Sequence, residues 1–471
     1  MNRPNVLWIT VESTRTDHTF LGGYDRETMP NTERIAAADR GRGFESCFSH
    51  GIWTLASSAS ILTGTYPSHH GTGMIHDVLP EEFETVPERL GEVGYRTGLV
   101  APHGQVSPAT GLDRGFDDFA YLSRETLLET VGPRTLAKYA LGFYRHGPGL
   151  SLDTNRFDTG FLTNGVAKRW LRSYASREEP FFLYTFYGDP HHLYYPPRKE
   201  TKRFADAFDM SIGEAREVCL RHSGDLHRNI AEGCDFTDDQ WRAIKALHDG
   251  EIAYTDDRIR GLVGYLNELD LLEDTIIVIT ADHGECFGED GMLAHMVTTN
   301  DAVCHVPLVT YGFDEITGYE GIVQHADVMT TILDRVGART EGLQGIDMRE
   351  ETRNYAIIQR GWERAKENIE RFEELNPDFD DSPYHHADLT AVRTNEYKYL
   401  TSDDRTELFE LPDESHDVAK TYPDERDRLA GIYTRWAETA GRPGYADATP
   451  RKAEYSEGMK RQLANLGYLV D

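Results

Sequence analysis

Thr275-Ile276-Ile277-Val278-Ile279-Thr280-Ala281-Asp282-His283-Gly284-Glu285 decides how this chain is read. Its β-branched run predicts a strand buried on both faces, as in a parallel sheet covered by helices. Ligands of such sheets bind beyond the carboxyl ends of the strands, where Asp282 and His283 fall. A carboxylate beside an imidazole there suits a divalent metal ion; the competing reading is a surface loop that carries both. Working outward, Asn5-Val6-Leu7-Trp8-Ile9-Thr10-Val11 is a second buried-strand pattern. It ends in Glu12, either another oxygen ligand or a cap of the following turn. Phe181 to Tyr187 is a third such pattern and leads to Asp189, His191 and His192. The segment Trp53-Thr54-Leu55-Ala56-Ser57-Ser58-Ala59-Ser60-Ile61-Leu62-Thr63-Gly64 sets a hydroxyl before a helix of small residues. Thr54 there either caps the helix or offers its hydroxyl where free amides favour an anion.

With Leu62-Thr63-Gly64-Thr65-Tyr66-Pro67-Ser68-His69-His70-Gly71, Gly94-Tyr95-Arg96-Thr97, Gly188-Asp189-Pro190-His191-His192 and Glu407-Leu408-Phe409-Glu410-Leu411, these stretches follow one another in a familiar order. The chain resembles the sulfatase branch of the alkaline phosphatase superfamily over most of its length. The similarity is weaker at about 120–180 and 195–240. The resemblance implies a metal-dependent ester hydrolase, and the departures from it carry information. Sulfatases convert the Cys of a C-x-P-S-R signature to formylglycine. Here Thr54 stands at the Cys position, with Ala56 for the Pro, Ser57 for the Ser and Ser58 for the Arg. Cys47 lacks the signature after it. Ala101-Pro102-His103-Gly104 fills the slot of a Gly-Lys-Trp-His segment, so the sulfate-binding Lys is absent. Glu12 replaces the first family Asp. Glu, Thr, Asp and His form the ligand set of relatives that transfer phosphoglycerol or phosphoethanolamine through a Thr nucleophile.

The resemblance therefore implies one divalent ion (Mn, Mg, Ca or Zn) held by Glu12, Thr54, Asp282 and His283, with Thr54 also the nucleophile. A metal ion acidifies an oxygen beside it. A sulfated Thr lacks the hemiacetal collapse open to formylglycine, so phosphorus is the favoured centre and a phosphate mono- or diester the expected substrate. The alternatives are a sulfatase working without formylglycine and a non-catalytic binder of anions or sugars. With the usual Arg and Lys missing, histidines must serve as donors: His191 and His295 as catalytic groups, His192 and His103 as substrate-binding ones.

Composition sets the surroundings. The chain has 80 acidic against 49 basic residues, a net charge of −31, which disfavours nucleic acid and anionic membranes as partners. Ten lysines against 39 arginines on so acidic a chain predict a halophilic, haloarchaeal protein. Five cysteines, at 47, 219, 234, 286 and 304, form neither a disulfide framework nor a CxxC site. With no evident signal segment and no membrane span, the expectation is a cytoplasmic protein. Its substrate would be a small-molecule or glycan-linked phosphate or sulfate ester, and its oligomeric state is not readable.

Alternating patterns predict an α/β fold, a large mostly parallel sheet between helices. Strands are expected near 5–11, 44–49, 96–101, 180–187, 275–281 and 306–311. Helices are expected over Thr32–Ala38, Leu55–Leu62, Val86–Val93, Asp158–Tyr174 and Asp327–Val336, with a long one or a broken pair over Asp238–Leu272. Residues 123–157 and 195–235 read as irregular loops over the site. A catalytic domain at 1–345 would precede a smaller α+β subdomain at 346–471. The latter would hold strands at Tyr355–Gln359 and Leu389–Leu400, a helix at Asp424–Thr439 and an acidic segment at Glu363–Asp381 read as a solvated helix or loop.

Overall fold

The apolar run at 275 lies near the middle of a seven-stranded sheet in the computed structural model, which describes residues 3–123, 126–142, 159–441 and 449–465. In chain order the strands are β1 (Asn5–Val11), β2 (Gly41–Phe44), β3 (Arg96–Ala101), β4 (Asp118–Tyr121), β5 (Phe181–Tyr187), β6 (Thr275–Thr280) and β7 (Leu308–Tyr311). Across the sheet they run β2-β7-β6-β1-β5-β3-β4. β6, β1, β5, β3 and β4 are mutually parallel, and β7 is antiparallel to both its neighbours. β1 explains why such strands read as continuous apolar runs. Val6 and Trp8 face a core containing Leu55, Ala59, Leu62, Val328 and Ile332, on helices α1 (Thr54–Thr63) and α4 (His325–Val336). Leu7, Ile9 and Val11 face the opposite core, with Ala167 and Leu171 of α2 (Gly160–Tyr174) and Ile252, Ile259 and Leu262 of α3 (Asp238–Glu268). Both pleats of the strand thus meet helices, and neither can be polar.

A second sheet is antiparallel, β8 (Ala356–Arg360), β9 (Leu389–Arg393), β10 (Tyr397–Thr401) and β11 (Thr406–Glu410) in that order, with α6 (Pro423–Thr439) packed against it. It is stitched to the large sheet's loops through backbone groups. Gln359 N–H donates to His50 O at 2.8 Å, and the Gln324 side chain pairs with both backbone groups of Ile357 at 2.8 and 2.9 Å. This brings β8 beside the segment that enters α1.

Several expected elements differ. The single strand at 44–49 is two: β2 in the large sheet, and Cys47–Phe48 paired in parallel with Val323–Gln324. Leu389–Leu400 is the hairpin β9–β10, turned at Thr394–Tyr397. The long helix α3 is unbroken over 31 residues. Residues 195–235 are not irregular; they form short helices at Arg198–Arg203, Ile212–Gly224 and Leu226–Ala231, whose charged exposed faces hide the apolar period. In the stretch expected irregular at 123–157, helices occupy Leu127–Val131 and Pro133–Leu141, while 124–125 and 143–157 lie outside the described residues, as does the predicted helix start Asp158. The acidic segment becomes helix α5 (Trp362–Leu375), which buries Ala365, Ile369 and Phe372 against Leu226 and Ile230. Burying Phe372 alone contributes about 2 kcal/mol, enough to dock a helix whose other face is solvated. Among the described residues, no helix is long and apolar enough to cross a membrane.

Candidate active site

The register of the sheet assembles the site. Val11 lies opposite Tyr187 and Thr10 opposite Thr280, so β1, β5 and β6 end at one level. Their next residues converge: Glu12 from β1, Asp189 to His192 from β5, Asp282 and His283 from β6, with His103 two residues beyond β3. Each is buried. Ser13 follows Glu12 in the left-handed region (φ +53°), a strained turn of the sort that persists where surrounding structure holds it. His248 Nε2–H holds it, donating to Ser13 O at 3.0 Å. Gly284 supplies a close approach on the β6 side, since a Cβ there would fall 2.1 Å from Ala302 O.

Thr54 does not cap its helix. Trp53 holds the N-cap position with extended backbone and no side-chain cap, and Thr54 is the first helical residue. Its hydroxyl instead enters the site: Oγ1 lies 3.1 Å from Glu12 Oε1 and 3.1 Å from His283 Nε2. Glycines close round this turn. A Cβ on Gly51 would fall 2.8 Å from the Ala56 methyl, and one on Gly73 would fall 2.7 Å from both that methyl and the Ala56 nitrogen.

Glu12, Asp282 and His283 bring one ligand atom each within 4.8 Å of one another. Both carboxyls are held above their ordinary range, by burial first; for Glu12 the charge of Asp282 adds to it. Asp282 Oδ2 is buried without a hydrogen-bond partner among the described residues. His283 Nδ1–H donates to Gly284 O at 2.8 Å, which turns the lone pair of Nε2 into the site. An orphaned carboxylate oxygen, a second carboxylate and an oriented imidazole nitrogen fit a divalent cation and no obvious alternative within the chain.

The other predicted histidines gather here too. His103 Nδ1 accepts from Gln105 N–H at 3.2 Å, so the proton sits on Nε2, 3.4 Å from Glu12 Oε1. Burial, with the neighbouring His283 and His295, pushes His103 down to about 3 and keeps it neutral. His191 donates from Nδ1 to the His192 carbonyl at 2.8 Å and sets Nε2 3.8 Å from Glu12 Oε1; burial holds it well below the usual range. The His295 ring lies 4.2 Å from that of His283, tilted by 40°, and, mainly through burial, is pushed down to about 3.

Two acids escaped the sequence reading. Glu285 is fully buried with Oε1 3.3 Å from His295 Nδ1 and Oε2 3.9 Å from His192 Nδ1; against the pull of burial, these imidazoles hold its carboxyl well below the usual range. It orients His295 and leaves Nε2 toward the site. Asp189 accepts from the amides of Thr159 and Gly160 at the start of α2 (2.5 and 3.2 Å), and burial pushes it up to about 6. The signal for Glu285 was its place two residues past His283 in a stretch otherwise apolar or assigned. A second cluster, His18, His248 and Asp249, also has metal-ligand spacing, but Arg26 (2.6 Å) and Tyr24 (2.8 Å) already occupy Asp249 Oδ2. It acts as the buttress behind Ser13.

A family model described as Sulfatase matches residues 4–338. Arylsulfatase K of Canis lupus familiaris is 24% identical over 459 residues, covering 89% of this chain and 80% of that protein. Human arylsulfatase K is 27% identical over 458 residues, with 89% and 80% covered. Among solved structures, the phosphonate monoester hydrolase of Agrobacterium radiobacter superposes with a TM-score of 0.71 at 21% identity, over 93% of this chain and 96% of that one.

Proposed function

This chain belongs to the Sulfatase family and is an ester hydrolase, and from that premise we propose that it cleaves a phosphate mono- or diester with Thr54 as nucleophile. The observation that carries the reading is the Thr54 hydroxyl, poised 3.1 Å from both Glu12 Oε1 and His283 Nε2 at a helix start. Glu12, Asp282 and His283 would hold one divalent ion, Mn²⁺, Mg²⁺, Ca²⁺ or Zn²⁺, with Thr54 beside it. Such an ion, when bound, acidifies the neighbouring hydroxyl and offsets charge on the substrate.

Thr54 Oγ1 attacks phosphorus; the Oγ1–P bond forms as the ester P–O bond breaks. The hydroxyl proton leaves along the hydrogen bond to Glu12. The departing alcohol oxygen takes a proton from His191 or His295, whose basicity rises when the phosphate anion arrives. Water then attacks phosphorus as the Oγ1–P bond breaks; the histidine that protonated the alcohol takes the water's proton and Glu12 returns one to Oγ1, releasing phosphate from a monoester substrate or a phosphate monoester from a diester. His103, with Nε2–H directed inward, and His192 bind the non-bridging oxygens. The substrate would be a small-molecule or glycan-linked ester. The excess of acidic residues, 80 against 49 basic, supports a halophilic protein. The competing substrate is a sulfate ester, favoured by the name arylsulfatase carried by the curated relatives.

The test is turnover of p-nitrophenyl phosphate, bis-p-nitrophenyl phosphate and p-nitrophenyl sulfate across several metals in high salt. Phosphoester turnover should exceed sulfate turnover. Thr54→Ala should lower it by at least about a thousandfold with an unchanged melting temperature. Denaturing a running reaction should leave phosphate on the peptide containing Thr54. Full activity of Thr54→Ala removes the hydroxyl from the nucleophile's role, and a preference for the sulfate ester selects the competing substrate.

A further inference from the structure

The acids round Thr54 have histidines for neighbours, and a cation beside the Thr54 turn comes from the smaller sheet's side. Gly51 is bridged to Gln359, so the end of β8 runs beside the Trp53–Thr54 turn. Immediately after β8, Gly361 packs so tightly on Met74 that a Cβ would fall 2.8 Å from its Cα. The first turn of α5 is thereby fixed over the same turn. Its Arg364 lays the guanidinium 5.6 Å from the centre of the Trp53 indole, the residue preceding the nucleophile. Trp53 is itself locked, buried and donating Nε1–H to Gly73 O at 3.0 Å. The charge of Arg364 reaches two other groups at this mouth. It contributes, after burial, His283 and His295, to the lowering of His103. It also opposes the burial that pushes the Tyr455 phenol up to about 12. Tyr455 belongs to a late segment that lies over the loop of His103: Leu463 sits 3.4 Å from the Cβ position of Gly104, and Gln462 bonds Pro102 O and Tyr121.

We propose that Arg364, seated on Trp53, is a specificity-determining residue that holds a second anionic group of the substrate, a carboxylate, phosphate or sulfate carried beside the ester that is cleaved. The proposal rests on the ester-hydrolase reading given above. A planar guanidinium on an aromatic face is pre-organised for bidentate recognition of an oxyanion. The division of labour is therefore spatial: the reacting phosphoryl group meets Thr54, and the flanking anion meets Arg364.

Binding of stable phosphonates to the full-length, metal-loaded protein tests this without turnover. Isothermal titration compares methylphosphonate with phosphonoacetate and its two longer homologues, which add a carboxylate at increasing reach. In the wild type at least one carboxylated phosphonate should bind about tenfold more tightly than methylphosphonate. Arg364→Gln should erase that advantage while leaving methylphosphonate affinity within about threefold, and Arg364→Lys should retain part of it. Equal affinities across the series in the wild type, binding of none of them, or an equal loss for all in Arg364→Gln would overturn the proposal. Circular dichroism of both variants checks that they fold. Thr54→Ala turnover fails or holds independently of these affinities, so the two readings are separable.

Discussion

Two buried clusters of carboxylates in this molecule are built in opposite ways. At the junction of the two sheets, Asp301 and Glu414 share the ammonium of Lys398 at 2.8 and 2.6 Å, and Arg393 adds a contact to Asp301 at 2.9 Å. Lys398 is completely buried; its ammonium is held above its ordinary range by Asp301 and Glu414 against the pull of burial, Asp301 is held low, and burial pushes Glu414 up to about 7. At the carboxyl edge of the large sheet, Glu12 and Asp282 lie close together with the imidazoles of His103, His191 and His283 around them, and both are held high. One cluster brings its own cation and glues the fold. The other has imidazoles for its described neighbours, an arrangement that suits a cation supplied from outside. The lesson is that burial of a carboxylate says little about its role until its counter-charge is located.

Removing the internal cation should have the largest effect on stability. Lys398→Met takes the shared ammonium from two partly buried carboxyls, of which Asp301 keeps Arg393, and should cost about 3 kcal/mol in denaturant unfolding. Asp301, held low, contributes stability that is present above about pH 4 and is lost as pH falls further. Protonation also relieves the stranded acids in the variant, so its deficit should shrink toward pH 4. A deficit that does not change with pH would break the contrast.

The open cluster should respond with the opposite sign. Asp282 and Glu12 have raised folded values, so their ionisation costs stability: nothing well below about pH 4, and the full cost once pH passes the folded values. In chelator-treated protein at neutral pH, Asp282→Asn should therefore raise stability by about 1 kcal/mol or more. With metal restored, the same variant should be the less stable and should retain less metal by elemental analysis. A variant less stable than wild type in both conditions would show that Asp282 is structural in the ordinary sense.

Salt should sharpen the comparison by a smaller margin. Raising potassium chloride from about 0.1 M to about 1 M shortens the screening length from about 10 Å to about 3 Å. The wild-type unfolding midpoint should rise, because the net charge of −31 repels itself across the surface. The Lys398→Met deficit should move by no more than about 0.5 kcal/mol, since its charges are screened by protein and not by ions. A midpoint indifferent to salt would remove the halophilic reading.

What could be read from the sequence was whatever a strand delivers. Glu12 and the Asp282–His283 pair follow β-branched runs whose only stable home is a sheet buried on both faces, and the edge of that sheet is where they lie. Thr54 was legible as a hydroxyl at a helix start, although not as one that leaves its cap to Trp53. His103, His191, His192 and His295 were found by position after strands and within loops, and they converge as expected. Arg364 was not legible. It sits in an acidic stretch more than three hundred residues from Trp53, and contacts such as the pairing of Gly51 with Gln359 and the packing of Gly361 on Met74 bring the two together. The helices between 195 and 235 were missed for a local reason, since short charged helices hide their few apolar positions.

The glycines that close on Ala56 bear on what this turn can accept. A proline there would attach its ring at the nitrogen against which Gly73 is pressed, and an arginine at Ser58 would need room where nothing is exposed. Swapping Thr54 for cysteine would therefore restore one residue of a C-x-P-S-R run and leave the packing at 56 and 58 closed to the rest.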